Sequence, residues 1–142
     1  MKAAIITGGK HVDERGELFF FNDLDLGPIK RFYTITHPET KVVRAWQGHK
    51  IETKWFHVIE GEFTVVLVKP DDWIKPSPLT ETEKFSLKAG ENIILKIPGG
   101  YANGVKAVIP GSKLLIFSDR TVDEAKDDNY RFDKDLWYNW NE

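Results

Sequence analysis

The chain contains no cysteine, which excludes disulfides, thiolate metal sites and a cysteine nucleophile and accords with a reducing compartment. No apolar run approaches the roughly 20 residues of a membrane-spanning helix, and the first residues lack the long apolar core of a secretion signal. Nor is one sign of charge in excess: 20 basic and 22 acidic residues are mixed along 142 positions, for a formal net charge of −2. That balance supplies neither a nucleic-acid footprint nor a membrane-binding basic face, so any anionic ligand needs a local basic site. Helical periodicity of any length is missing as well. Together these absences predict a cytoplasmic protein, one domain over residues 1–142, with no nucleic-acid and no membrane partner.

What is present is a succession of short strands. Residues 3–7 form an apolar run closed by Gly8-Gly9, and Asp13-Glu14-Arg15-Gly16 is a turn signal ahead of the aromatic run 17–21. Strands over 29–36 and 40–46 flank a turn at His37-Pro38, which places His37 on the surface. Residues 54–59 and 62–69 read as a hairpin about Glu60-Gly61. Alternation there sets Lys54, Phe56 and Val58 on one face and Trp55, His57 and Ile59 on the other, so His57 does not share the face of Lys54. His57 and His11 are assigned to structure or surface. The segment 70–78 is a loop whose Trp73 is expected to cover an apolar patch. Short strands at 85–87, 92–97, 104–109 and 113–118, separated by glycine turns, complete an all-β barrel or sandwich. The tail 127–140 alternates polar and aromatic residues, with a helical turn near 133–137. Its rings would be costly to leave in water, so it should pack on the barrel or on a second subunit.

The spacing of polar residues is more specific than the strands. Cupin barrels place two histidines one residue apart, then a glutamate and a glycine, and in that frame this chain has Gln47, His49, Lys54 and Gly61. A second cupin signature, proline, glycine, then histidine, falls on Pro98, Gly100 and Asn103. The frame resembles a cupin, but three of its four ligand positions hold Gln47, Lys54 and Asn103, and only His49 remains. An ammonium has no lone pair and repels a divalent cation. The expected fold is therefore an all-β cupin (double-stranded β-helix, or jelly-roll) barrel with a polar, cationic pocket, no metal and no cofactor.

From about Asp13 to Trp140 the chain also resembles the small cupins that act on dTDP-linked 4-keto-6-deoxy sugars, namely the dTDP-4-dehydrorhamnose 3,5-epimerases and the dTDP-sugar 3,4-ketoisomerases. Asp13-Glu14-Arg15-Gly16 with Leu18 is similar to the epimerases' Asp-x-Arg-Gly-x-Phe, which implies that Arg15 contacts the nucleotide diphosphate. Read from the residues alone, Arg15 is either a solvated turn arginine or an anion clamp at a barrel rim. Residues 97–104 are similar to Ile-Pro-x-Gly-Phe-Ala-His-Gly, with Tyr101 and Asn103 at changed positions, and residues 54–61 match a stretch that opens with the epimerases' active-site lysine. Residues 44–49 are closer to the ketoisomerases' Arg-Gly-x-His-Ala-His, and Lys30-Arg31-Phe32-Tyr33 to their Lys-Arg-x-Tyr. The departures are Gln47 where both branches have histidine, and Val122 where both have a tyrosine. Asp133 or Asp135 corresponds to the epimerases' late aspartate.

The resemblance implies proton abstraction beside a ketone. His49 would be the base and Lys54 the cation over the enolate oxygen, with Arg15, Arg44, Gln47, Tyr101 and Asn103 binding substrate. Strict alternation sets Arg44 opposite Gln47 and His49, so a bulge must intervene if it reaches the same ligand. A homodimer, with the apolar N-terminal strand as an exchanged edge, and a place in deoxysugar and cell-surface polysaccharide biosynthesis come with the same resemblance. A second reading is a cupin that binds a nucleotide sugar or carbohydrate without turnover. A third, a metal-dependent dioxygenase, conflicts with the lost ligands.

Overall fold

A computed structural model describes residues 1–141. Its strands are β1 (Ala4–Thr7), β2 (Gly9–Asp13), β3 (Gly16–Phe20), β4 (Arg31–His37), β5 (Val43–His49), β6 (Lys54–Glu60), β7 (Glu62–Val68), β8 (Thr82–Lys88), β9 (Ile93–Ile97), β10 (Tyr101–Ala107), β11 (Ser112–Ser118) and β12 (Tyr130–Arg131), with a 3-10 turn (Ala89–Glu91) and one α-helical turn, α1 (Val122–Ala125). Two antiparallel five-stranded sheets, ordered β1-β9-β6-β11-β4 and β12-β5-β10-β7-β8, face each other as a jelly roll, and β2 and β3 form a separate hairpin. The all-β expectation is met. Among the described residues no helix is long and apolar enough to cross a membrane.

The sheets meet through one row of each strand. Phe56 and Val58 from β6, Phe63, Val65 and Leu67 from β7, and Leu114 and Ile116 from β11 are buried in a common core. The opposite row of β7, Val66 and Val68, is buried too, beneath Trp46, Trp137 and Trp140. Both faces of β7 are covered, which is why it reads as a continuous apolar run rather than an alternating one. The tail makes the second cover. Indole N–H groups of Trp46 and Trp140 both donate to the Lys134 carbonyl, at 3.1 and 2.9 Å, and that of Trp137 donates to the Ser77 carbonyl at 2.8 Å. Buried tryptophans keep their polar edge satisfied in this way. Trp73 does cover an apolar patch, packing on Tyr130 and Phe132. A Cβ at Gly48 would lie 2.6 Å from the Trp73 ring, so this strand position needs glycine.

Several segments differ from the sequence expectation. Residues 9–13, of which only Gly9 and Asp13 carried a turn signal, form β2, because Val12 and its neighbours pair with β3 around the positive-φ Gly16. β5 runs on to His49 and β10 starts at Tyr101, since both pair through this stretch. His37 is not a surface residue. As the last residue of β4 it pairs with Ser112 of β11, is buried, and sets its ring edge-on to Phe63 at 5.2 Å.

Neither ring nitrogen of His37 has a hydrogen-bond partner. Burial, with a smaller contribution from the Arg44 charge, holds its pKa below the ordinary value. The unfolded chain therefore binds more protons than the folded one just below the ordinary imidazole value of about 6.5. This share of stability is complete above that value and is lost as pH falls toward the lower, folded pKa. Replacing His37 with phenylalanine removes the unpaired nitrogens, so His37→Phe is expected to raise stability by about 1 kcal/mol at pH 7. Chemical denaturation at pH 5 and pH 7 should show the gain growing at the lower pH.

Candidate active site

Between the sheets, at the end where β5 and β6 are joined, lie two adjoining chambers. The inner, about 180 Å³, is lined by Tyr33, Arg44, Gln47, Lys54 and Asn103 above the apolar floor of Phe56, Val105, Leu114 and Ile116. The outer, about 280 Å³, is lined by Arg31, Tyr33, Gln47, His49, Glu52 and Lys54, with Val122, Ala125, Lys126 and Asn129 at its mouth. Tyr33, Gln47 and Lys54 belong to both, so the two form one continuous site.

A bulge brings the β5 residues together. Asn103 pairs with Gln47 and Val105 with Arg44, so three steps along β5 match two along β10. The extra residue turns Arg44 to the face of Gln47, as a bulge re-aims a side chain. Asn103 is buried and donates from its amide to the Gln47 carbonyl at 3.3 Å, fixing the two strands at this point. Lys54 opens β6 between Ser118 of β11 and Ile97 of β9, in the middle of its sheet. Its side chain is buried, its Nζ lies 5.9 Å from the Tyr33 ring, and among the described residues no carboxylate pairs with it. As alternation required, His57 points the other way, toward the Ile93 carbonyl and Phe21.

His49 is held from behind. Its Nδ1 lies 2.7 Å from the Asp128 carbonyl oxygen. A carbonyl only accepts, so Nδ1 carries the hydrogen and the neutral ring keeps its lone pair on Nε2. Nε2 has no partner. Burial, and then the Lys54 charge, lower the pKa of this imidazole, against smaller opposing effects of Asp128 and Glu52. The neutral, proton-accepting form is therefore the one present at neutral pH.

Two residues of this site carry no sequence signal of the kind used above. Asp128 accepts at its carboxylate from the backbone N–H groups of Lys50, Ile51 and Glu52, at 2.7, 2.9 and 2.8 Å. It thus fixes the turn after β5 while its own carbonyl orients His49. Glu52 is buried behind the imidazole, with one oxygen shared by Arg31 at 3.0 Å and Ser118. Asp133 and Asp135, the aspartates that the resemblance offered for orienting the histidine, lie instead in the tail turn, where Asp133 accepts from the Asp135 N–H and Asp135 pairs with Lys134.

Two of the predicted site residues are not brought to the chambers. Arg15 sits at the exposed tip of the β2–β3 hairpin, paired with Asp13 at 2.7 Å. Tyr101 is buried in the main core, where its hydroxyl accepts from the Ala3 N–H at 3.1 Å and its ring faces Lys69. His49, Lys54, Arg44, Gln47 and Asn103 all line the site.

The fold and this mouth define a cupin jelly roll. No known family profile matches the sequence, and no curated protein matches it. Solved structures do. A 3,4-ketoisomerase from Helicobacter canadensis superposes with a TM-score of 0.73 at 22% identity, over 100% of this chain and 99% of that one. The 3,4-ketoisomerase QdtA from Thermoanaerobacterium thermosaccharolyticum, in a histidine-to-asparagine variant bound to TDP-4-keto-6-deoxyglucose, gives 0.71 at 22%, over 92% and 87%. The RmlC epimerase of Mycobacterium tuberculosis gives 0.77 at 17%, over 97% and 74%. At these identities the likeness is one of fold.

Removing the Asp128 carboxylate strands three backbone donors at once. Asp128→Ala is expected to cost about 3 kcal/mol or more, read by urea denaturation.

Proposed function

We propose that the protein is a nucleotide-sugar isomerase that takes a dTDP-linked 4-keto-6-deoxy sugar and moves a proton beside its ketone. The observation that carries this reading is His49: a buried, neutral imidazole whose Nε2 lone pair is, among the described residues, free at a chamber that also holds Lys54, which no carboxylate among them pairs with. The ligand of the QdtA structure supports the substrate class. In the reaction His49 Nε2 takes the C3 proton and the electron pair passes to the C4 oxygen, whose developing charge Lys54 stabilises. Gln47, Asn103 and Arg44 hold the sugar by hydrogen bonds.

The resulting enediol has two outcomes. Returning the proton to C3 on the opposite face gives an epimer and requires a second proton donor there. Returning it from His49 to C4, as the O3 proton passes to O4, gives the 3-keto isomer and needs one shuttle only. Val122 is an alkyl side chain at the mouth where both enzyme branches carry a tyrosine, so it supplies no second donor for epimerisation and, with Gln47, also supports a reading without turnover. The other reading is a binding module, which Gln47 at a family histidine position supports.

Proton NMR of dTDP-4-keto-6-deoxyglucose with the protein in deuterium oxide decides between them. Deuterium should enter the ring and new 3-keto sugar signals should appear, both abolished in His49→Asn. Saturable line broadening with no exchange would establish a binder instead. Lys54→Met should lower the exchange rate by roughly 10²–10³-fold. Because burial and Lys54 favour the neutral ring, the rate should be level at neutral pH. Its acid limb, where the base becomes protonated, should lie below about 6.5.

We also infer a homodimer joined through the N-terminal segment. β1 is a sheet edge, and Ile5, Val12, Leu18 and Phe19 beside it are exposed. Light scattering should give twice the 16.4 kDa chain mass, falling to the single mass in a Val12→Asp, Leu18→Asp variant.

A further inference from the structure

Glu52 is an expensive residue to bury without cause. An ionised carboxylate withdrawn from water costs several kcal/mol unless it is paired and its remaining lone pairs are filled. Only half of this carboxylate is accounted for. Oε2 accepts from Arg31 at 3.0 Å and from the Ser118 hydroxyl, which would make a sufficient structural ion pair. Among the described residues Oε1 has no hydrogen-bond partner, although it is enclosed, and it lies 3.3 Å from His49 Nδ1. The same Nδ1–H is currently given to the Asp128 carbonyl. The imidazole therefore has a neutral acceptor in use and an anionic one in reserve, both on the side of Nδ1.

We propose that Glu52 is the positioning residue and counter-ion of His49, its free oxygen receiving the Nδ1–H as the ring becomes an imidazolium. The proposal rests on the reading of His49 as the base. When the substrate proton bonds to Nε2, the pair from the C–H bond goes to the enolate and the ring gains a positive charge. Nδ1 keeps its hydrogen and Glu52 stays ionised, so the carboxylate moves no proton. What it supplies is a fixed negative charge beside a buried ring, where the positive one appears.

The surrounding charges make such a partner necessary. Lys54 on β6 and Arg31 on β4 line the same chamber as His49, and Lys126 stands at its mouth. All three oppose a second cation. Against them stand the Asp128 carboxylate, spread over three backbone N–H groups, and Glu52. Without the free oxygen of Glu52 the base would be neutral but too reluctant to accept a proton. Arg31 in turn pairs with Glu52 while engaging only one of its oxygens. The carboxylate comes from three positions past the histidine, in the turn after β5, and the tail contributes a backbone carbonyl.

The test is an NMR titration of the imidazole signals of the full-length protein, with His49 assigned by its loss in His49→Asn. In Glu52→Gln, which keeps the shape but not the charge, the His49 midpoint should fall by roughly 1 to 3 pH units. The acid limb of the exchange reaction should move down with it, and Glu52→Asp should restore part of the shift. A folded Glu52→Gln protein whose His49 midpoint is unchanged would overturn the proposal. If that variant does not fold, the wild-type protein still decides. The Glu52 carboxyl carbon signal must move at the His49 midpoint as it senses the new charge 3.3 Å away, and a flat signal through that range rejects the pairing. These titrations need no turnover. A protein that shows the coupling but exchanges no deuterium would reject the isomerase and retain the pair.

Discussion

The site depends first on the grip of Asp128 on the turn that follows β5. Three successive backbone N–H groups, from Lys50 to Glu52, point at one carboxylate, and the carbonyl of the same residue fixes the His49 ring. Charge-assisted hydrogen bonds to backbone are among the strongest a protein makes. Here they set the direction in which the strand leaves the barrel, and so whether His49 and Glu52 face each other. The bulge in β5 has the complementary task of bringing Arg44 round to the face of Gln47. A single irregular strand therefore carries most of the polar lining, and regular strands hold it from both sides.

Charge is arranged in depth. Arg44 and Lys54 line the inner chamber above an apolar floor, and Arg31 and Lys126 line the outer one. The formal charge of the whole chain is slightly negative, so this is a local concentration of cations rather than a property of the surface. Such a concentration suits an anionic ligand with a neutral polar end, and a low-dielectric interior strengthens each contact. It also explains the neutral imidazole, since burial and the nearby Lys54 ammonium disfavour a second positive charge.

How much of this was legible in the sequence follows from the range of the interactions. The strands near Lys54, Glu62 and Lys113 are set by local alternation and glycine turns, and they appear where alternation put them. His49, Lys54 and Asn103 keep the spacing of a cupin frame, and the need for a bulge at Arg44 is visible once Gln47 and His49 are placed on one face. Glu52 and Asp128 were invisible because their meaning is tertiary: one carboxylate among 22 acidic residues has no local mark, and Asp128 contacts residues far from it in the chain. His37 misled for a related reason. His-Pro is a turn signal, and nothing local says that Phe63 will pack on the ring. Arg15 and Tyr101 match short motifs, yet one chain places the first on an exposed hairpin and the second in the core.

The tail covers the outer face of β7, and it also carries Asp128, so a segment that follows every strand of the barrel core is the part that orients the base. The barrel core, built from β6, β7, β10 and β11, does not include the tail. A chain with an undocked tail would therefore hold the cationic chambers without a base directed into them.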